Sequence, residues 1–118
     1  MNLVDEFLQL PWMGKLALDT PGGADGLCVP VSCAFLDFAL ERNPEAEVRI
    51  VEVLGHANDP CFWHCMAKVE DTYYDFTLRQ IDPEGAYPCV QPDLAGWRLA
   101  REHAFPFEKE PFGLENEV

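Results

Sequence analysis

The sequence predicts an α+β domain in which a central helix packs against a small antiparallel sheet. Three observations carry that prediction. Residues 28–42 are apolar around nearly the whole helical circumference. Residues 48–54 alternate as a strand does. Residues 62–69 and 72–78 read as a hairpin closed by Glu70 and Asp71. Helices first and strands afterwards is the order of an α+β domain. With 118 residues the chain forms one domain, residues 1–118, with no room for a second core. Leu, Val, Ile and Phe make up about 27% of it, above the range of disordered chains.

Residues 2–10 fit a short amphipathic helix with Leu3, Phe7 and Leu10 on one stripe, stopped by Pro11. Residues 15–19 read as a brief strand or an irregular segment. The run 20–26, TPGGADG, reads as a loop because of its Pro and three Gly. The helix over 28–42 carries Pro30 in its first turn, where a missing N–H is harmless. Val31, Phe35, Phe38 and Ala39 form one stripe; Val29, Cys33, Leu36 and Leu40 form the next, and Asp37 marks the solvent edge. On the strand over 48–54, Val48, Ile50 and Glu52 face one way, and Arg49, Val51 and Val53 the other. Residues 55–61 read as a loop. After Leu78, Pro83, Gly85, Pro88 and Pro92 interrupt the pattern. Residues 96–101 read as a last strand or short helix, and the tail from Phe105 as an extended segment laying its rings on the body.

Acidic residues outnumber basic ones 21 to 8, for a formal charge of -13. Such a surface repels phosphate backbones, so nucleic acid is excluded as an expected partner. It suits a basic protein or peptide partner. No stretch reaches the length of a membrane helix, so no membrane role is expected. Asp5 and Glu6 stand where a signal peptide carries positive charge. The expected location is cytoplasmic, with delivery by a specialised secretion system left open. The five cysteines, Cys28, Cys33, Cys61, Cys65 and Cys89, are odd in number, and reduced thiols are expected. No cofactor is expected. Metal binding is disfavoured as well. Cys61, His64 and Cys65, with His56 and Asp59 upstream, lack paired ligand spacing, and a strand turns His64 and Cys65 to opposite faces.

Chemistry enters through the hairpin register. With Glu70 and Asp71 in the turn, Val69 pairs with Thr72, Lys68 with Tyr73 and Met66 with Asp75. His64 and Asp75 then share a face as diagonal neighbours, with Cβ atoms about 6–8 Å apart. A one-residue slip would separate them. A carboxylate beside an imidazole fixes its tautomer and raises its basicity. Cys28 opens the central helix, where unpaired amides and the helix field favour a thiolate. Thiolate, imidazole and carboxylate together are the apparatus of acyl transfer. Cys28 as a small buried hydrophobe is the plain alternative. Cys33 lies inside the apolar helix, a packing position. Cys65 belongs to the face opposite His64. Trp63, also opposite His64, is expected in the core. Trp97 and Trp12 are candidates to cover an edge of the cleft, Thr77 to bond the Asp75 carboxylate, and Gln80 to stand near the site.

DGLCVPVSCAFLDFAL resembles the cysteine-bearing helix start of papain-like and transglutaminase-like folds. WHCMAKVEDTYYDFTLRQIDP resembles their histidine strand, turn and aspartate strand. The matching residues are His64, the Glu70-Asp71 turn, Tyr74-Asp75, Thr77 and Arg79-Gln80, within roughly residues 25–83. The resemblance implies a small papain-like/transglutaminase-like domain with Cys28 as nucleophile, His64 as base and acid, and Asp75 as the orienting residue. It implies a cysteine-dependent amide hydrolase, in a superfamily of proteases, amidases, deamidases, transglutaminases and bacterial effector toxins. Some members have lost the chemistry and only bind, so an inactive acidic protein-binding module is the second expectation. Papain-like enzymes carry a glutamine upstream of the cysteine as an oxyanion donor. Here Gln9 is too far back, so the second oxyanion donor is unassigned.

Overall fold

The computed structural model describes residues 2–56, 59–94 and 96–107. The chain opens with helix α1 (Leu3–Leu8), capped by Asn2, whose side chain accepts from the Asp5 N–H. Of the expected stripe, Phe7 is fully buried, and Leu3 and Leu10 pack against the core at its margin. Residues 15–19 form no strand; a 3-10 turn spans Met13–Lys15. The loop expected over 20–26 contains one turn of helix, α2 (Pro21–Ala24). Thr20 caps it, its Oγ1 accepting from the Gly23 N–H at 3.0 Å, and Pro21 occupies the first helical position. Gly23 is required, since a Cβ there would lie 2.0 Å from the Ala17 carbonyl oxygen. The Thr-Pro start signal thus overrides the glycines.

Helix α3 (Cys28–Arg42) has the expected bounds. Its stripe of Val31, Phe35, Phe38 and Ala39 is buried with Leu36, and Asp37 is exposed. Five antiparallel strands follow: β1 (Val48–His56), β2 (Asp59–Val69), β3 (Thr72–Asp75), β4 (Cys89–Gln91) and β5 (Arg98–Ala104). They lie in the order β4-β3-β2-β1-β5. The loop expected over 55–61 is mostly strand. The ladder of β1 and β2 continues past an irregularity at Gly55 to the pair His56 and Asp59. Gly55 has φ +78, and a Cβ there would crowd the Pro60 carbonyl at 3.0 Å. Residues 57 and 58 of that loop lie outside the described residues. The expected register of β2 on β3 is observed at Val69–Thr72 and Lys68–Tyr73, with Glu70 in the left-handed conformation at the turn. The strand expected over 72–78 ends at Asp75, because the Asp75 carboxylate accepts the Thr77 N–H at 3.0 Å and turns the chain into a 3-10 turn, Leu78–Gln80. The proline-rich segment adds the unanticipated short strand β4. Residues 98–104 resolve the strand-or-helix alternative as a strand.

The helices cover one face of the sheet, where Ile50, Cys65 and Ala67 meet Phe7, Phe35 and Phe76. The three rings pack with centroids 4.9–5.1 Å apart. Such ring pairs add stabilisation beyond their buried area. The other face carries a smaller cluster of Val51, Val53 and Met66 under Tyr73, Leu94 and Trp97. Phe105 and Phe107 lie against the helix-side core, as expected of the tail. Phe112 lies outside the described residues.

Candidate active site

The site forms where β2 and β3 part and α3 begins. Pairing between those strands ends at Ala67–Tyr74, so the stretch of β2 containing His64 and Cys65 has no β3 partner beside it. Strand alternation sends His64 to the face shared with Asp75 and Cys65 to the face under α3. The sequence anticipates both placements. His64 is fully buried, and its Nε2 lies 2.8 Å from Asp75 Oδ2. The second carboxylate oxygen accepts from the Thr77 backbone N–H at 3.0 Å and lies 3.5 Å from the Thr77 hydroxyl. Asp75 is thereby held on both oxygens. An ionised carboxylate only accepts, so Nε2 carries a proton and Nδ1 is the position whose protonation can change.

Nδ1 faces Gln80, whose amide nitrogen is 3.0 Å away, and Gln80 Oε1 lies 3.4 Å from the Gly26 N–H. In this orientation the amide donates to an unprotonated Nδ1. Turned over, it presents its oxygen to a protonated ring. Gln80 thus ties the helix approach at Gly26 to the imidazole. Trp97 stacks on the other side of the ring, with centroids 5.1 Å apart and planes 22° off parallel. Phe62 lies 6.0 Å from the His64 ring and 6.4 Å from Trp97.

Cys28 sits at the mouth of α3, only 9% exposed. Its thiol stands where Cys65 and the His64 ring both act on its protonation. The Cys65 thiol contributes most to lowering its pKa, burial opposes this, and His64 lowers it further through a hydrogen bond and its charge; the result is about 5. Burial works against a charged His64, yet the Asp75 charge and hydrogen bond, joined by Cys28, raise its pKa to about 9. Cys65 moves the opposite way from Cys28. Its hydrogen bond to Cys28, then burial, push its pKa far up, so it stays a thiol and donates. Its Sγ also lies 3.7 Å from the Cys28 carbonyl oxygen, so one S–H proton has two acceptors within reach.

The structure therefore brings Cys28, His64, Asp75, Thr77 and Gln80 into one corner. It corrects Trp63, which is 38% exposed rather than in the core, its indole N–H donating to Glu52 Oε1 at 2.9 Å. The cause is helix length: α3 begins beside Cys65, so Trp63, two residues farther along that face, runs past its cover. Trp97 stands at the site, whereas Trp12 packs edge-on against Phe7, 5.7 Å away, on the α1 side. Cys33 is half-buried against the core, and Cys61 is exposed on β2. Cys65 joins the site from the face opposite His64, and its place next to His64 in the chain is the signal for it. Among the described residues, no group of three His, Cys, Asp or Glu side chains could hold a metal ion, and no helix is long and apolar enough to cross a membrane. Comparison with known protein families, curated proteins and solved structures finds no match for this chain.

Proposed function

We propose that the protein is a cysteine-dependent amide hydrolase of papain-like or transglutaminase-like type, with Cys28, His64 and Asp75 as its catalytic residues. One observation carries the reading: the buried His64 ring is held by Asp75 at 2.8 Å, and this ring and a thiol at a helix mouth act on each other's protonation. Between about pH 5 and 9 the favoured state is Cys28 thiolate with His64 imidazolium. The thiolate attacks the amide carbonyl carbon. The imidazolium gives its Nδ1 proton to the leaving amine, which departs as the acyl-enzyme forms. Water, deprotonated by the neutral ring, then releases the acid and restores the thiolate and the imidazolium. Asp75, fixed by Thr77, keeps Nε2 protonated throughout. The early-helix N–H of Cys28 supplies one oxyanion donor. Water as acceptor favours hydrolysis or deamidation over crosslinking. The net charge of -13 favours basic peptide substrates.

The test is incubation with a complex mixture of peptides, read by mass spectrometry for new termini or deamidated side chains, with Cys28→Ala alongside. The expected result is product from the parent protein and none from a folded Cys28→Ala variant. Equal product from both rejects the assignment. The low exposure of Cys28 favours the second reading, an acidic binding module without turnover, and that reading predicts no product from either protein.

A further inference from the structure

We infer that Cys28 and Cys65 are an oxidant-sensitive pair that a hydroperoxide closes into an intramolecular disulfide. Both stand as unlinked thiols, and each acts on the other's protonation. The Cys65 sulfur also lies 3.7 Å from the Cys28 carbonyl oxygen, which fixes it beside the residue at the start of α3. Cys28 retains 9% exposure and Cys65 none. Cys28 is therefore the residue of the pair that a peroxide meets first.

The chemistry balances in two steps. The Cys28 sulfur attacks one peroxide oxygen. A sulfur–oxygen bond forms, the oxygen–oxygen bond breaks, and the departing oxygen leaves as water or an alcohol after taking a proton. Cys28 is now a sulfenic acid. The Cys65 sulfur then attacks the Cys28 sulfur. A disulfide forms, the sulfur–oxygen bond breaks, and the hydroxyl departs as water with the Cys65 proton. Two thiols are oxidised and one hydroperoxide is reduced. A small dithiol reverses the change by exchange. The disulfide holds the two sulfurs about 2.05 Å apart. Ser32, on the next turn of α3, is buried and acts to lower the Cys65 pKa. The disulfide needs no amide hydrolysis; where Cys28 is the nucleophile, it also silences and shelters that sulfur from further oxidation.

The experiment is graded exposure of the whole protein to hydrogen peroxide, followed by non-reducing digestion and peptide mass mapping. The expected product is a monomer that has lost two hydrogens, linked between Cys28 and Cys65 and reopened by dithiothreitol. In Cys65→Ser, with folding checked by circular dichroism, Cys28 proceeds instead to sulfinic and sulfonic acids. Because the linkage is mapped in the unaltered protein, the inference stands or falls even if that variant does not fold. Irreversible over-oxidation of Cys28 in the unaltered protein, or a link from Cys28 or Cys65 to Cys33, overturns it. A reduced protein that gives no amidase product, yet forms this disulfide on exposure to peroxide, rejects the hydrolase reading alone.

Discussion

The sharpest consequence of the site is a cysteine that stays reactive in mild acid. An ordinary thiol of pKa 9.0 is about 0.1% ionised at pH 6, whereas one at about 5 is about 90% ionised. The gain in thiolate is roughly 900-fold. A thiolate of lower basicity is also a weaker nucleophile. With a Brønsted coefficient of about 0.4–0.5 over four pH units, that loss is about 40- to 100-fold. The net advantage of Cys28 at pH 6 is therefore about 10- to 20-fold over an equally accessible ordinary thiol. Its burial slows the absolute rate at every pH, so the shape of the profile is the decisive quantity. The assay is pulse alkylation with iodoacetamide from pH 4 to 10, quenched and mapped by peptide mass spectrometry, with all five cysteines followed in one sample. The rate at Cys28 should reach half its plateau near pH 5 and change little above pH 6. In His64→Ala the inflection should move up, since two lowering influences are lost while the Cys65 hydrogen bond remains. A Cys28 rate that climbs through pH 8–9 without a lower plateau would refute the thiolate and, with it, the acyl-transfer mechanism.

Asp75→Asn removes the charge that most raises the His64 pKa, so that pKa should fall from about 9, read from the imidazole proton in an NMR titration, and hydrolysis should drop at least ~100-fold; an unmoved titration refutes the role given to Asp75. Stability should carry the signature of the pair. His64, raised from 6.5 to about 9, contributes stability that is fully present below pH 6.5 and lost as pH rises through 9. Cys28, lowered from 9.0 to about 5, contributes stability that is present above pH 9 and lost as pH falls through 5. From 9 down to 6.5 the gain and the loss offset. From 6.5 down to 5 only the Cys28 loss remains, worth about 2 kcal/mol. Denaturant midpoints at pH 8, 6.5 and 5 should therefore fall more in the parent protein than in Cys28→Ser over the last interval, and parallel curves would contradict the ion pair.

The central helix, the hairpin and its register were legible because each rests on a periodic pattern that burial enforces. A slip of one residue would have turned His64 and Asp75 apart, and the apolar alternation of residues 64–69 forbids it. What the sequence hid depends on contacts distant along the chain. Strand β4 gains its pairing only because β3 offers an edge to Cys89–Gln91, and nothing local in a proline-rich stretch announces that. The exposure of Trp63 follows from where α3 begins relative to β2, a tertiary length and not a pattern. Gln80 reaches His64 because Asp75 ends its strand early. Trp97 reaches the same ring from a segment 33 residues along the chain, and single-sequence periodicity carries no such information.

The distribution of buried polar groups bears on why this corner exists. Among the described residues the buried polar side chains are Ser32, His64, Asp75 and Thr77. Asp75 joins His64 and Thr77 directly, and Ser32 acts on the protonation of Cys65, which in turn acts on that of Cys28. All four thus belong to the surroundings of two thiols at one end of α3. Polarity of this kind is a poor way to stabilise a small domain. A buried ion pair gains little over apolar side chains of similar volume, while loss of one partner costs about 3–5 kcal/mol. A core built for stability alone would spread such groups out or omit them, as the Phe7, Phe35 and Phe76 cluster does a short distance away. Concentrating them where a helix mouth, an open strand edge and a stacked tryptophan meet sacrifices stability to hold one proton and one sulfur in defined states. Opposed pKa shifts at neighbouring groups are what acid–base chemistry uses, and they support the proposed hydrolase over a module that only binds.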